Sequence, residues 1–496
     1  MSLVRKNIIA NLIGSGWVAL VSIAFIPLYI HFMGVEAYGL VGFYLTLQAL
    51  FVVLDMGLTA TVSRELARLS ATNNMQDMRN LVRTLELIYW VIAVSIVVSV
   101  TFLAPWITTN WLNSNVLTDE TVQLSIVLMG IIIALRMPYG FYSGGLLGLQ
   151  RHILLNGIKI TIETIKAAGA VLVLWLISPS IEAFFLWQLL IGVVGVVLIA
   201  VVLWRSLPGF EPPKFTGSLF SNLWRFAVGM SLTGVLSVIL VQSDKVVLSK
   251  LLPLQEFGYY MLASTVSMGL YVIVGSVFSA IYPRFTQLVS LGDEKSLIHL
   301  YHKGSQLIAV LVMPLAAVVC VFSSDLLLIW TQNPNVAEKA APILSLLIIG
   351  TSLNSLMNIP YALQLAYGWT KLVVYMNAIA VIILIPALIV VVDVLGAIGG
   401  ALIWLCLNAG YLLFGISIMH RRLLTGEMVK WFRYSVFIPV IVTVTSVLLA
   451  RLLMIDVTDT GLRVVLVGCI YLATLAITAL STPSTRILML KMGGRA

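Results

Sequence analysis

Long apolar stretches, separated by short polar connections, follow one another along the whole chain. Fourteen of these stretches are long enough to cross a bilayer as a helix, which takes about 20 residues. They lie near residues 8–32, 38–62, 85–107, 122–147, 158–178, 182–204, 226–250, 257–281, 305–330, 341–366, 372–392, 396–419, 435–455 and 461–481. Because lipid offers the backbone no hydrogen-bond partners, these lengths predict helices. The first stretch is too long for a cleaved signal peptide, and we predict it to be a membrane span.

The basic residues of the connections predict the orientation in the membrane. Alternate connections, including those near 63–84, 205–225 and 282–304, carry most of the Lys and Arg residues. The connections on the opposite side carry only Lys250, Lys339, Arg451 and Arg463. By the positive-inside rule, both termini then lie in the cytoplasm. All connections are short, which leaves no room for a soluble catalytic domain.

Two parts of the chain repeat one another. The segment GVEAYGLVGFYLTL (34–47) aligns with PLQEFGYYMLASTV (253–266), and RMPYGFYSGGLLGLQR (136–151) aligns with NIPYALQLAYGWTK (358–371). The pattern predicts two copies of one six-helix unit in the same membrane orientation, as in transporters with parallel repeats. Spans 13 and 14 have no counterpart and are predicted to form an appended hairpin. The predicted domains are an N-terminal bundle, a cytoplasmic linker, a C-terminal bundle and a basic linker with the hairpin, at 1–204, 205–225, 226–419 and 420–496.

Composition supports a polytopic all-α membrane protein. Of 496 residues, 60% are hydrophobic and only 10% are charged, far below the roughly 25% of soluble domains. The basic connections account for the net charge of +9, so we predict no nucleic-acid partner. The three cysteines are far apart, and the pair His299 and His302 has no third ligand nearby. We therefore predict no disulfide, no metal site and no cofactor.

An arginine near the middle of the fourth span is the most informative single residue. A charge at the centre of a membrane helix costs roughly 2.5–3.5 kcal/mol on insertion scales, so it persists where it faces a cavity or a partner. Arg136 shares a helical face with Tyr139, Gly140 and Ser143, which is small and polar. Two interpretations stay open. Arg136 either awaits an anionic substrate or pairs structurally with a carboxylate or with carbonyls that Pro138 frees.

Other spans carry charges too. The fifth span has Lys166 beside Glu163, which can pair with each other or line a cavity. Asp55 in the second span can carry a coupling ion or balance a cation. In the seventh span Asp244 and Lys245 point about 100° apart on an ideal helix, so they need not pair, and we predict that at least one faces a central cavity. Polar residues on the same spans are predicted to line that cavity, namely Tyr44, Gln48 and Gln242.

The segment GVEAYGLVGFYLTLQALFVVLDMGLTATVSRELAR (34–68) resembles the first half of the Wzx-type oligosaccharide flippases of the MOP exporter superfamily. YPRFTQLVSLGDEKSLIHLYHKGSQL (282–307) and NIPYALQLAYGWTKL (358–372) are similar to their second half. The resemblance implies a MATE-like bundle in the bacterial inner membrane that is not an enzyme. It implies transfer of undecaprenyl-pyrophosphate-linked oligosaccharide to the periplasmic leaflet, driven by proton or sodium antiport. A polysaccharide polymerase and a chain-length regulator are the implied protein partners.

The resemblance also implies roles for the charged residues. The cations Arg136, Lys166 and Lys245 would hold the pyrophosphate, and Asp55, Glu163 and Asp244 would couple an ion or balance charge. A multidrug exporter shares the fold, but its lumen should be rich in acids or aromatics rather than in cations. A flippase for lipid II or lipid III differs only in the head group. A membrane polymerase or ligase would need a larger periplasmic loop than this chain has.

Overall fold

The computed structural model describes residues 3–55, 57–72, 74–209, 211–216, 238–454 and 459–486. Helices form the regular structure of these residues, beside one isolated bridge between Asn113 and Pro253. The predicted all-α polytopic class is therefore confirmed. The first part of the predicted seventh span, residues 226–237, and the end of the predicted linker, residues 217–225, lie outside the described residues.

The helices of the first half of the chain correspond to the predicted spans. They are α1 (Leu3–Ala24), α2 (Ile26–Phe51), the 3₁₀ turn Val52–Asp55, α3 (Leu58–Ala71), α4 (Met75–Asn110), α5 (Asp119–Gly148), α6 (His152–Leu176), α7 (Ile181–Ser206) and α8, which is described over 238–251.

The second half continues in the same way. Its helices are α9 (Leu254–Met268), α10 (Leu270–Leu291), α11 (Glu294–Val321), α12 (Ser323–Thr331), α13 (Pro334–Leu356), α14 (Asn358–Ala366), α15 (Lys371–Gly410), a π-helical turn at Tyr411–Gly415, α16 (Ile416–Leu423), α17 (Met428–Trp431), a second π-helical turn at Phe432–Phe437, α18 (Ile438–Leu453) and α19 (Thr460–Ser481).

Within the described residues, ten helical stretches are long and apolar enough to span a membrane. Four of the fourteen predicted spans are not counted separately. Spans 11 and 12 form one stretch, span 1 appears as the shorter apolar helix Ile13–Ala24, span 5 carries three charges, and span 7 lies partly outside the described residues. The stretch Lys371–Leu423 runs for 53 residues and turns at Gly396, whose φ of 57° and ψ of −139° are not helical, so it contains the predicted spans 11 and 12. Helix α2 likewise continues through Gly34 at a φ of 83°. Helix α6 is apolar but carries Lys159, Glu163 and Lys166.

Polar residues in the connections start the helices. Side-chain oxygens accept hydrogen bonds from backbone N–H groups of the first turn, which otherwise lack a partner. These caps are Asn74 on α4, Thr118 on α5, Ser180 on α7, Asp293 on α11, Asn333 on α13 and Asp459 on α19. The short polar connections between apolar runs therefore set where the membrane helices begin.

The predicted second span is not one continuous helix. The 3₁₀ turn after α2 ends at Asp55, and Gly57 takes up a left-handed conformation with a φ of 72° before α3 begins. Residues with a side chain rarely adopt this left-handed backbone conformation, so glycine is favoured at position 57. Backbone groups at such a break are free to serve a ligand, as in transporters with discontinuous helices.

The chain divides into two compact units, Met1–Gly258 and Tyr259–Ala496. In the first unit α5 is central and packs against α3, α4 and α7. In the second unit α13 packs against α11 and α15, and α10 packs against α11 and α14. The appended hairpin of α18 and α19 lies against α11. Its core includes Val318, Phe322 and Val447. The predicted domain limits at 204, 225 and 419 stay predictions.

Candidate functional site

Three of the predicted residues meet in one cavity of the first unit. Arg136 on α5 and the pair Glu163 and Lys166 on α6 line a narrow cavity of about 20 Å³, together with Tyr139. Apolar residues of α5 and α7, with one glycine, complete its walls, namely Ile132, Leu135, Gly192 and Val196. Lys166 Nζ lies 3.7 Å from Glu163 Oε1, so these two charges balance one another. We call this space the α6 cavity.

A second cavity is lined by the same arginine. It measures about 330 Å³, and we call it the α3 cavity. Gln48, Asp55 and Thr59 line it from α2, the 3₁₀ turn and α3. Arg136 and Tyr139 line it from α5, so these two side chains border both cavities. The predicted cation and the predicted carboxylate of the neighbouring span therefore share one polar space.

Arg136 forms no ion pair with a carboxylate in the described part of the chain. Among the residues that the structure describes, no Asp or Glu oxygen lies within 4 Å of its guanidinium, although the side chain is half-buried. The two cavities that it borders also contain hydroxyls, an amide, the carboxylates of Glu163 and Asp55 and the ammonium group of Lys166. Arg136 interacts electrostatically with Tyr44 and Tyr139. Two buried oxygens near it, Tyr139 Oη and Gln48 Oε1, have no hydrogen-bond partner in the described part of the chain.

The Arg136 guanidinium and the Tyr139 hydroxyl can both donate to an anionic ligand, whereas Gln48 Oε1 can only accept a hydrogen bond. Buried polar atoms in proteins are almost always hydrogen-bonded, so unpartnered ones at a cavity need an explanation. A guanidinium offers five N–H donors in a planar fork that fits a phosphate or carboxylate. The structural alternative, in which a carboxylate neutralises Arg136, is not what the described residues show. The freed-carbonyl alternative stays open, because Pro138 inside α5 has no N–H to donate to the Ala134 carbonyl oxygen.

Asp55 is held by hydroxyl groups rather than by a cation. Its Oδ1 accepts a hydrogen bond of 2.6 Å from Tyr89 Oη on α4 and one of 2.5 Å from Thr59 Oγ1. The Thr59 amide N–H points to Oδ2 at 3.4 Å, so the carboxylate also caps the first turn of α3. No Lys or Arg of the described residues forms an ion pair with it. The carboxylate with its two hydroxyls is a set of oxygens that suits a proton or a small hard cation.

The glycines of α5 explain how the cavities are bounded. A Cβ at Gly144 would lie 2.8 Å from the Thr59 carbonyl oxygen, and one at Gly148 would lie 2.5 Å from the Ser63 carbonyl oxygen. At Gly140 the nearest atom, Thr59 Oγ1, is 3.8 Å away. The small residues therefore let α3 pack closely on α5 towards Gly148, while the helices separate towards Arg136. This is the packing role expected of spaced small residues in membrane helices.

Asp244 and Lys245 of the seventh span form an ion pair with one another. Lys245 Nζ lies 3.2 Å from both carboxylate oxygens of Asp244 and donates to the Val241 carbonyl oxygen. Both side chains are buried. A separation of about 100° on an ideal helix leaves this pairing open, because a lysine stem is long enough to bend back over one residue. Gln242 next to them is half-buried. The pair has little net charge to offer, so the predicted phosphate contact of Lys245 stays a prediction.

Sequence reasoning overlooked two residues of α4. One is Tyr89, which donates to Asp55. The other is Glu86, which is buried and accepts hydrogen bonds from Tyr142 at 2.6 Å, Trp204 at 3.1 Å and Arg83 at 2.8 Å. A carboxylate inside an apolar run was the available signal for Glu86. It is fully occupied by its partners and neutralised by Arg83, which marks it as a structural link between α4, α5 and α7.

Two family models and a known protein match this chain in sequence. The sequence model of the family described as "Polysaccharide biosynthesis protein" matches residues 4–289, and that of the MatE family matches residues 230–390. A Shigella flexneri protein with the provisional name O-antigen transporter is 22% identical over 399 residues, which cover 80% of this chain and 93% of the relative.

Solved structures share the fold. "Lipid II flippase MurJ, inward closed conformation" has a TM-score of 0.65 at 15% identity and covers 95% of this chain and 98% of that one. An inward-facing multidrug resistance transporter of the MATE family has a TM-score of 0.63 at 13% identity, with 82% and 96% covered. The family resemblance that the motifs indicate is thereby confirmed. Since the first family model covers more than half of the residues, the chain belongs to the polysaccharide biosynthesis protein family.

Proposed function

We propose that this protein is a flippase for undecaprenyl-pyrophosphate-linked oligosaccharide repeat units. It moves them from the cytoplasmic to the periplasmic leaflet of the bacterial inner membrane by alternating access. The observation that carries the proposal is the half-buried Arg136, which borders two cavities and has no carboxylate within 4 Å among the described residues. A pyrophosphate cannot cross hydrocarbon unaided, and a fixed cation in a polar cavity lowers that barrier.

The residues take the following roles. Arg136 binds the pyrophosphate by two parallel hydrogen bonds, and Lys166 adds charge from the α6 cavity when its contact to Glu163 opens. Lys245 contributes only if it leaves Asp244. Asp55 carries the proton or sodium ion that is exchanged for the substrate, because its partners are hydroxyls. Tyr44, Gln48 and Gln242 line the path, while the polyprenyl tail stays in lipid.

The relatives support a transporter rather than an enzyme, since their names describe an O-antigen transporter, a lipid II flippase and multidrug transporters. The polysaccharide family match favours a lipid-linked saccharide over a drug. A multidrug exporter is the second candidate, because the MatE model matches 230–390 and Asp55 has no cationic partner in the described part. Both termini are placed in the cytoplasm by the basic connections. A polymerase and a chain-length regulator would act on the product.

The test uses purified protein in proteoliposomes. Undecaprenyl pyrophosphate that carries the repeat unit of the source bacterium is placed in the leaflet equivalent to the cytoplasmic one. Its appearance in the other leaflet is followed with and without a proton or sodium gradient. The wild type should transfer it, and an opposing cation gradient should accelerate transfer. A fluorescent organic cation, offered in the same vesicles, tests the multidrug alternative.

Variants of Arg136 then test the site. Arg136→Gln removes the charge and should reduce transfer at least about tenfold, since charged hydrogen bonds contribute about 1.5–3 kcal/mol. Arg136→Lys keeps the charge without the planar fork and should retain part of the activity. Arg64→Gln is the matched control, because Arg64 is 60% exposed and pairs with Glu65 outside the cavities. Folded Arg136→Gln protein with wild-type transfer would refute the assignment.

A further inference from the structure

The second unit repeats the framework of the charged site with different side chains. The alignment of GVEAYGLVGFYLTL with PLQEFGYYMLASTV has an offset of 253 − 34 = 219, which places Thr59 on Phe278. The alignment of RMPYG with NIPYA has an offset of 358 − 136 = 222, which places Arg136 on Asn358 and Tyr139 on Tyr361. The helices that carry these residues pair in the same way, because α3 packs on α5 in the first unit and α10 packs on α14 in the second. The face of α3 and α5 that carries Arg136 therefore corresponds to a face of α10 and α14 that carries the uncharged Asn358.

Three aromatic rings of this face of α10 and α14 form a row. The rings of Phe278 and Tyr282 on α10 lie 5.7 Å apart at an interplanar angle of 17°, and Phe278 and Tyr361 on α14 lie 6.2 Å apart at 27°. All three are stacked rather than edge-on. Tyr361 is 38% exposed, and the other two rings are half-buried. We call these three residues and Asn358 the aromatic strip.

The polar atoms of the strip have little to bind within the protein. In the described residues the hydroxyls of Tyr282 and Tyr361 form no hydrogen bond, and the Oδ1 of Asn358 accepts none. Asn358 donates to the Asn354 carbonyl oxygen at 3.1 Å, which fixes the orientation of its amide. Hydroxyls and amides without partners are costly against lipid tails, so a buried or lipid-facing role leaves these atoms unexplained.

Asn358 of the strip is hydrogen-bonded to Asn354, which belongs to a network of side-chain hydrogen bonds. Tyr271 lies about two helical turns before Phe278 on α10 and donates to Asn354 Oδ1 at 3.0 Å. Asn354 in turn donates to Asn408 Oδ1 at 2.7 Å. Because these groups satisfy one another, they link α10, α13 and α15 as structural hydrogen bonds. The aromatic strip continues this polar face, but its hydroxyls and amide oxygen are left for a ligand.

We propose that the aromatic strip binds the saccharide part of the lipid-linked substrate. A pyranose ring has a flat apolar face of C–H groups, which stacks on aromatic rings, and a rim of hydroxyls, which an amide and phenols bind. The strip offers both, without any formal charge that would compete for the pyrophosphate. A site built to hydrogen-bond hydroxyls discriminates against a ligand that lacks them. This inference rests on the proposed function and assigns recognition of the saccharide to the second unit.

Binding of two probes by the full-length protein in detergent separates the two ends. One probe is undecaprenyl pyrophosphate, and the other is the same carrier with the repeat unit extracted from the source bacterium. Tyr361→Leu removes a stacking ring and a hydroxyl and should weaken binding of the saccharide probe about fivefold or more. It should leave the Kd of the sugar-free probe unchanged. Tyr361→Phe, which keeps the ring, and Asn358→Ala should each show a smaller loss for the saccharide probe alone.

Two controls make the result specific. Tyr375→Leu removes an equally large ring that is 64% exposed on α15 outside the strip, and it should change neither Kd. Arg136→Gln should weaken binding of both probes. Equal weakening of both probes in Tyr361→Leu, or no change in either, would overturn the inference. If the wild type transfers neither probe in proteoliposomes, the proposed function fails and this inference with it. If it transfers the saccharide probe and only the Tyr361 result is negative, the strip alone is refuted.

Discussion

A contact between two glycines gives a direct test of the conformational cycle. A Cβ added to Gly258 on α9 would lie 2.5 Å from the carbonyl oxygen of Val35, about 0.9 Å short of the 3.4 Å of ordinary contact (3.4 − 2.5 = 0.9). A Cβ on Gly39 would lie closer still to the carbonyl oxygen of Leu254. The contact is symmetric, because both Gly39 with Gly258 and Val35 with Leu254 are separated by 219 residues (258 − 39 and 254 − 35).

The magnitude follows from the geometry. A carbonyl oxygen of the backbone cannot rotate away, so an alanine at Gly258 must push the two segments apart. Overpacking of this kind costs roughly 1–3 kcal/mol. On the predicted topology these residues lie at the periplasmic ends of their spans, so under the proposed alternating access their contact would belong to the form that is closed on that side. A penalty of about 2 kcal/mol on the closed form would shift a two-state equilibrium about 30-fold towards the form in which this contact is open.

Thiol accessibility measures that shift. In a background with Cys320, Cys406 and Cys469 replaced by serine, a reporter cysteine at Gln48 is exposed to a membrane-impermeant reagent from the periplasmic side. Gly258→Ala should raise the labelling rate, by about 30-fold if labelling follows the open population. Gly157→Ala is the matched control, because no atom lies within 4 Å of an added Cβ there. Unchanged labelling in Gly258→Ala, or an equal increase in Gly157→Ala, would refute the reasoning.

Two further predictions concern stability. Asp325 on α12 accepts hydrogen bonds from Arg451 at 2.6 Å and from Arg463 at 2.9 Å, so Asp325→Asn leaves two guanidinium groups without their carboxylate. We expect the free energy of unfolding to fall by about 1–3 kcal/mol, less than for fully buried pairs because the arginines are partly exposed. The loss should appear as a lower thermal midpoint in detergent, and an unchanged midpoint would contradict the prediction. Burial raises the pKa of Glu65 on α3, but hydrogen bonds and charges from Arg64 and Arg68 outweigh it and hold the pKa below its ordinary value of 4.5. A carboxylate with a lowered folded-state pKa stabilises the protein above its unfolded pKa, and that stabilisation is lost as the pH falls through the folded pKa. The thermal midpoint should therefore drop on acidification below about 4.5, and Glu65→Gln should reduce that drop. Glu338→Gln is the control, because Glu338 is exposed on α13.

The helical framework was largely predictable because lipid leaves few alternatives. Apolar length and basic connections place the spans, and the described helices lie at the predicted positions. The break between Asp55 and Leu58 was not predicted, since apolar length carries no information about a change of helix type. The turn at Gly396, by contrast, falls where the apolar pattern separates the predicted spans 372–392 and 396–419.

The site was predictable to the level of single charges but not of their partners. A charge in an apolar run is visible in the sequence, so Arg136, Asp55 and Lys166 were found. Their pairing depends on how each helix is rotated about its axis. Helical spacing fixes that rotation only where the apolar face is narrow, and α5 is apolar on most sides. For this reason Tyr89, a neutral residue of another helix, was missed as the main partner of Asp55.

The two repeats show which positions the fold requires and which it leaves free. Glycine stands at both Gly39 and Gly258, where each lets the backbone of the other segment approach closely. Pro-Tyr stands at both 138–139 and 360–361. Immediately before those pairs, however, Arg136 corresponds to Asn358. A duplicated unit with identical sites would suit a symmetric ligand. A lipid-linked saccharide is charged at its phosphates and neutral at its sugars, so a protein that binds both ends gains from copies that differ at these positions. The observed difference, a cation in one copy and an amide beside stacked rings in the other, matches the two chemistries of the proposed ligand.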